Sequence, residues 1–158
     1  MAIDSVRAYL AGFSLADRIL EFDVSSATVE LAAEALGCEP CRIAKSMAFL
    51  QGETAVLVVA AGDARIDNTR YKQRFGMKAK MIQPEQVEAL VGHGVGGVCP
   101  FALREGVTVW LDESLRRFDT VYPAGGSSSS AVRLTIPELE KSSGASGWVD
   151  VCRGWRGE

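Results

Sequence analysis

One histidine, His93, serves the whole 158-residue chain, and no G-x-S-x-G elbow occurs in it. A Ser-His-Asp triad needs its histidine beside an exposed nucleophile, so that route to hydrolysis has no sequence support. Long apolar runs are missing as well. The longest, Ala55 to Ala61 (AVLVVAA), falls far short of the ~20 residues that a membrane helix needs. The opening MAIDSVRAYLAGF places Asp4 and Arg7 ahead of any apolar stretch, unlike a signal peptide. These absences predict a cytosolic protein without a membrane partner. In that compartment Cys38, Cys41, Cys99 and Cys152 are expected to be reduced thiols, not a disulfide framework.

Nor is there an excess of positive charge. Seventeen basic residues stand against 20 acidic ones, for a net −3. Duplex-DNA binding rests on basic surface, so DNA is not an expected partner. The charge is nevertheless uneven. Arg65, Arg70, Lys72, Arg74, Lys78 and Lys80 cluster with one acid, Asp67, among them. That cluster reads either as a solvated helix face or as a patch for a phosphate-bearing partner. No repeat and no linker is visible, and a chain of this length fits one domain, residues 1–158.

What is present is a mixed series of elements. Val6, Leu10 and Phe13 recur at helical spacing, with Asp4 or Ser5 as the expected cap. A short extended piece, Ile19 to Val24, follows. Thr28 to Leu36 reads as a helix closed by Gly37. Arg42 to Leu50 and Ala55 to Ala61 read as strands joined through Gln51-Gly52-Glu53. Asp67 is placed to cap a helix from Asn68 to Phe75 before Gly76. Pro84 suits the first turn of another, ending at Val91 before Gly92. Later strands are expected at Val107–Leu111, Val121–Tyr122, Ala131–Ile136 and Trp148–Val151, with a short helix near Pro137 to Lys141. This order predicts an α+β fold around a mixed, largely antiparallel and barrel-like sheet with flanking helices. Val29, Leu36, Ile43, Met47, Phe49, Val56, Val58, Val109 and Leu111 are the expected core.

The chemistry on offer is sparse. His93 lies in GHGVGG, where a surface or loop-packing role is expected, not that of a base. Cys38-Glu39-Pro40-Cys41 follows a helix and precedes a strand, the reverse of the thioredoxin arrangement. As zinc ligands the pair would need His93 and Cys99, whose spacing is too loose for a second knuckle. No metal and no cofactor is therefore expected. Lys45 interrupts an apolar strand pattern, IAKSMAF. It is either on an exposed face or turned into a pocket, where its ammonium offers three donors. Gly96-Gly97-Val98-Cys99-Pro100 lets backbone N–H groups approach a substrate closely.

Taken together, TVELAAEALGCEPCRIAKSMAF, GVGGVCPF, VYPAGGSSSSAVRLTIPEL and WVDV resemble, in order, the YbaK/ProX family of trans-editing aminoacyl-tRNA deacylases. That family shares its fold with the editing insertion domain of bacterial prolyl-tRNA synthetases. The matching positions are Ala35-Leu36-Gly37, Lys45-Ser46, and Gly96, Gly97 and Pro100. The resemblance implies hydrolysis of the ester between an amino acid and the 3′-terminal ribose of tRNA, with the neighbouring ribose hydroxyl activating water. It implies catalytic roles for Lys45, Gly96 and Gly97. Substrate contacts follow at Phe22, Thr28, Ser46, Val98, Pro100, Ala124 and Gly125, and tRNA contacts at Arg70, Lys72 and Arg74. The implied partners are the tRNA acceptor end and an aminoacyl-tRNA synthetase. Three departures stand out: Ala102 replaces a common glycine, His93 a common aromatic, and Ala124 and Ala131 the polar side chains of the cysteinyl-tRNA branch. A small amino acid such as alanine, or else cysteine, on tRNA for proline is the leading substrate. The alternatives are a non-catalytic tRNA- or synthetase-binding module of the same fold, and a C-x-x-C thiol-redox protein.

Overall fold

The computed structural model describes residues 2–157. Its elements run α1 (Ala2–Ala11), β1 (Ile19–Glu21), α2 (Val29–Leu36), β2 (Ile43–Gln51), β3 (Thr54–Ala61), β4 (Arg65–Ile66), α3 (Asn68–Phe75) and α4 (Pro84–Val91). There follow β5 (Thr108–Asp112), β6 (Thr120–Pro123), β7 (Ser130–Val132), β8 (Leu134–Thr135), α5 (Ile136–Ser143), β9 (Gly147–Val149) and β10 (Cys152–Arg153).

Local chemistry sets most of these boundaries. Thr28 Oγ1 accepts the Leu31 N–H and Gly37 closes α2 in the left-handed region. Asp67 accepts the Arg70 N–H and Gly76 closes α3. Pro84 opens α4 and Gly92 ends it. Thr135 and Glu138 form a capping box on α5. The expectation at the N-terminus needs correction. α1 already includes Asp4 and Ser5, so neither is its cap.

Six strands form the main sheet in the order β8-β6-β2-β3-β5-β9. β2–β3 and β6–β8 pair antiparallel, whereas β2–β6, β3–β5 and β5–β9 pair parallel. Two antiparallel ribbons, β1–β7 and β10–β4, complete the pairing. The α+β reading therefore holds, with a mixed sheet curled into a half-barrel and helices around it. β2 and β3 turn through Gly52-Glu53, in a register that sets Lys45 against Ala60 and Met47 against Val58.

The sheet separates two cores. Ala44, Ala48, Leu57, Val59 and Ala61 face one that also holds α1 residues Val6 and Leu10 and α4 residues Val87 and Val91. Phe49, Val56, Val58 and Ala60 face the other, with Tyr71 of α3 and Cys152. Period-2 alternation along β2 and β3 divides the side chains between them. Of the nine expected core residues, six are buried. Val29, Leu36 and Met47 are half-buried. For Val29 and Met47 the reason is a cleft that both side chains line.

Candidate active site

The cleft begins with an interruption beside β2. At its start β2 is flanked by β6, with Ala44 opposite Pro123. At its end it is flanked by residues 80–82: Ile82 N–H donates to Ala48 O and Leu50 N–H to Lys80 O. Between these two neighbours lies a cavity of about 290 Å³. Lys45, Ser46 and Met47 form one wall. Thr28, Val29 and Ala32 of the α2 start close one side, and Met81, Ile82, Pro84 and Val87 another. Val95, Gly96 and Val98 stand with Tyr122, Ala124, Ser130 and Ala131 to complete it.

Lys45 shares its strand face with Met47 and Phe49, and it is half-buried. Burial holds its ammonium pKa below the usual lysine range. Cys152, Asp63 and Glu30 oppose that shift and Arg65 adds to it. A lysine so placed carries a partly desolvated charge that favours an oxygen ligand. On the other strand face, Ser46 Oγ is buried without a hydrogen-bond partner among the described residues.

The glycine loop is held from behind. Gly96 has φ +90° and sits so close to Ala27 and Ser128 that a Cβ would come within 3.2 and 3.3 Å of their Cβ atoms. Its amide and that of Val98 make no hydrogen bond among the described residues. Gly97 is different. It is buried, its N–H donates to Gly94 O at 3.1 Å, and a Cβ on it would lie 2.7 Å from the Gly126 carbonyl carbon. Gly97 thus packs one loop on the other and has no free amide for a ligand. Gly125 is likewise buried, against Ser130. Pro100 is buried behind the loop, and Phe22 donates its N–H to Ser129 O outside the cleft. So Lys45, Ser46, Thr28, Gly96, Val98 and Ala124 line one cavity, while Gly97, Pro100, Gly125 and Phe22 stand behind it or beside it.

His93 is fully buried, and it packs the loop. Its Nε2 lies 2.6 Å from Phe101 O and 3.5 Å from Cys99 Sγ. This contact ties the start of the loop to its end. Burial lowers the His93 pKa, and burial pushes the Cys99 thiol up to about 12. Cys38 and Cys41 are half-buried free thiols outside the cleft lining; Cys38 packs against the Ala32, Ala33 and Ile43 cluster that adjoins the cleft, and burial raises its pKa. No cluster of three metal-ligating side chains occurs among the described residues.

The basic segment resolves into residues with different duties. Arg70 donates to Cys152 O at 2.9 Å and lies 3.5 Å from Asp150. Arg74 stacks 4.6 Å over Trp110. Lys72 and Lys78 instead line a shallow exposed depression beside α3. Sequence reasoning missed Val29, Met81, Ile82, Val87, Val95 and Tyr122. Nothing distinguishes these apolar residues from core residues until the gap beside β2 is seen.

Residues 24–142 match the family described as the aminoacyl-tRNA editing domain, and the chain belongs to that family. Among its relatives is YwhH of Bacillus subtilis (strain 168), described as an uncharacterized protein. It is 48% identical over 156 residues, covering 98% of this chain and 99% of YwhH. A proline–tRNA ligase of Limosilactobacillus fermentum is 33% identical over 95 residues, 56% of this chain but 17% of the ligase. A crystal structure of a candidate trans-editing enzyme for prolyl tRNA synthetase superposes with TM-score 0.87 at 29% identity, covering 97% of this chain and 98% of that one. A crystal structure of a hypothetical protein gives TM-score 0.84 at 28% identity, covering 94% and 99%. Among the described residues no helix is long and apolar enough to cross a membrane.

Proposed function

We propose that this protein is a trans-editing deacylase. It hydrolyses the ester that joins a small amino acid, alanine first and cysteine second, to the 3′-terminal ribose of tRNA for proline. One observation carries the reading: in a chain of the editing family, Lys45 and Gly96 line the same small apolar cleft. The Lys45 ammonium polarises the ester carbonyl or holds the terminal phosphate. The free amides of Gly96 and Val98 face the charge that develops on the carbonyl oxygen, a role worth ~3 kcal/mol per donor. Gly97 serves the same end by packing Gly96 into place.

Among its described lining residues the cleft has no aspartate, glutamate or histidine. The ribose hydroxyl beside the ester fits the part of the group that activates water. An ester is reactive enough for this modest apparatus. Selection rests on size and polarity: Ala32, Ala44, Ala48, Ala124 and Ala131 give the wall small apolar surfaces, which favour alanine over a polar side chain. The match to a proline–tRNA ligase supports tRNA for proline as carrier and a synthetase as companion. Arg70, Lys72 and Arg74 remain the tRNA-facing candidates; Lys72 and Arg74 are both exposed, and the stacking of Arg74 over Trp110 leaves Lys72 the best placed.

The test is deacylation of mischarged tRNAs. Alanyl-tRNA for proline is expected to lose its amino acid faster than the cysteinyl form, and leucyl or phenylalanyl forms are expected to persist. Binding of every form without hydrolysis would instead identify a non-catalytic module.

A further inference from the structure

The row of backbone flanking β2 has a gap that leaves one outward-facing residue unpaired, and its chemistry matches that of an amino acid. In the β2–β3 hairpin a two-residue turn makes Gln51 and Thr54 a hydrogen-bonded pair. Odd-numbered residues of β2 therefore direct their N–H and C=O toward β3, and even-numbered residues direct theirs away. The outer edge agrees, since Ala48 and Leu50 are the residues bonded to Ile82 and Lys80. Ala44 pairs outward with β6. Ser46 stands between them. Its outward N–H and C=O meet neither flank among the described residues, because pairing with β6 stops at Pro123 and residue 124 turns to bridge Ala131. The open stretch faces Lys45 to Met47, roughly 10 Å at ~3.3 Å per residue. The cavity lies along this stretch, and Ser46 Oγ is buried there without a partner.

We infer that the α-aminoacyl group of the substrate docks as the missing strand residue, held by the backbone of Ser46. This rests on the deacylase reading above. An antiparallel hydrogen-bonded pair consists of one residue exchanging both bonds with another. An aminoacyl ester carries the same two groups on one α-carbon. Its ammonium donates to Ser46 C=O, and its carbonyl oxygen accepts from Ser46 N–H. A parallel pairing needs groups from two partner residues, so a lone aminoacyl group fits only the antiparallel form. Directly opposed residues point their side chains to the same face, which sends the substrate side chain toward the Ala44 and Ala48 face of β2. The cleft then selects α-amino acid esters as a class, and size selection operates within that class.

Two measurements test this. The first compares alanyl-tRNA with propionyl-tRNA, which lacks only the α-amino group, each rate divided by that of spontaneous hydrolysis. The enhancement is expected to fall about 10–100-fold for propionyl-tRNA, as for loss of a hydrogen bond to a charged group. Equal enhancement overturns the pairing and leaves the deacylase reading standing. Failure to hydrolyse any aminoacyl-tRNA overturns the deacylase reading itself. The second uses Ser46→Pro, which deletes the outward N–H and spares the β3 ladder. Ser46→Ala removes the hydroxyl alone and gives the baseline. With folding checked by circular dichroism, Ser46→Pro is expected to be about 10–100-fold slower than Ser46→Ala. Equal rates in two folded variants overturn the inference. Should Ser46→Pro fail to fold, the propionyl comparison decides alone.

Discussion

The two walls of the cleft are built on opposite principles. The β2 wall is regular backbone, paired with β3 along eight registered positions and anchored in both cores. The opposing wall, from Gly92 to Pro100, has no strand or helix and is fixed from outside. His93 ties it to Phe101, and Gly97 rests on Gly126. One wall gets its shape from its own ladder, the other from its neighbours. The strand can therefore carry the charged group at low structural risk, while the loop supplies free amides at a position that small changes behind it would move.

Substitutions separate these contributions. Lys45→Ala removes a charge and little packing, so the fold should persist while kcat drops by about 100-fold or more, comparable to loss of an oxyanion donor. Thermal unfolding and single-turnover deacylation of the same variant check both halves. Lys45→Arg should recover only part of the rate, because a planar guanidinium is longer and differently shaped.

The loop wall should respond in the reverse manner. Gly97→Ala forces a Cβ to within 2.7 Å of backbone at Gly126, and backbone cannot swing aside. A stability loss of about 1–3 kcal/mol is expected, with a fall in kcat as Gly96 shifts. His93→Ala leaves Phe101 O with only the long 4.0 Å contact from Cys99 Sγ and opens a void, for a similar loss of about 1–3 kcal/mol. Retention of full activity in a destabilised Gly97 variant would show that loop position does not matter.

A pH profile probes the β2 wall alone. If the Lys45 ammonium is the working form, the rate is full at low pH and declines as pH rises through its pKa. That decline should fall below the ordinary lysine value of ~10.4, since burial lowers the pKa. Loss of this limb in Lys45→Arg, whose guanidinium stays charged, assigns it to Lys45.

Smaller effects are expected outside both walls. Replacing Lys72 and Lys78 with alanine should weaken tRNA affinity and flatten its salt dependence by about 0.7–0.9 per lost phosphate contact. An unchanged slope would make that helix face merely solvated. Ala102 has φ +52°, a region that costs an L side chain ~1–2 kcal/mol. Ala102→Gly should raise stability by up to about 1 kcal/mol in denaturant titration, the lower flexibility of alanine in the unfolded chain offsetting part of the gain.

The difference between the walls also explains what the sequence made legible. Gly37, Asp67, Gly76, Pro84 and Gly92 act through their own neighbours in the chain, so the C-terminal end of α2 and both ends of α3 and α4 could be placed beforehand, whereas Thr28, read as the first residue of α2, is its cap. The β2–β3 hairpin declared itself through alternation, a turn and a continuous apolar strand. The two-residue strands β4 and β10 could not be seen, because nothing local distinguishes Arg65–Ile66 or Cys152–Arg153 from loop. Lys45 was visible as a charge in an apolar strand. The different duties of Gly96 and Gly97 were not, since they arise from Gly126, about thirty residues away. GGSSSS looked like low complexity, yet Ser127 and Ser130 hydroxyls bond within the bend and hold it in shape.

The central claim is that the Lys45–Gly96 cleft hydrolyses a small aminoacyl ester on tRNA. Its most direct test is single-turnover deacylation of alanyl-tRNA for proline by wild-type protein and by Lys45→Ala, side by side. Rapid loss of alanine with the wild type and near-background loss with the folded variant is the predicted result. Equal rates for the two proteins, or no hydrolysis by the wild type of any mischarged tRNA, would contradict it.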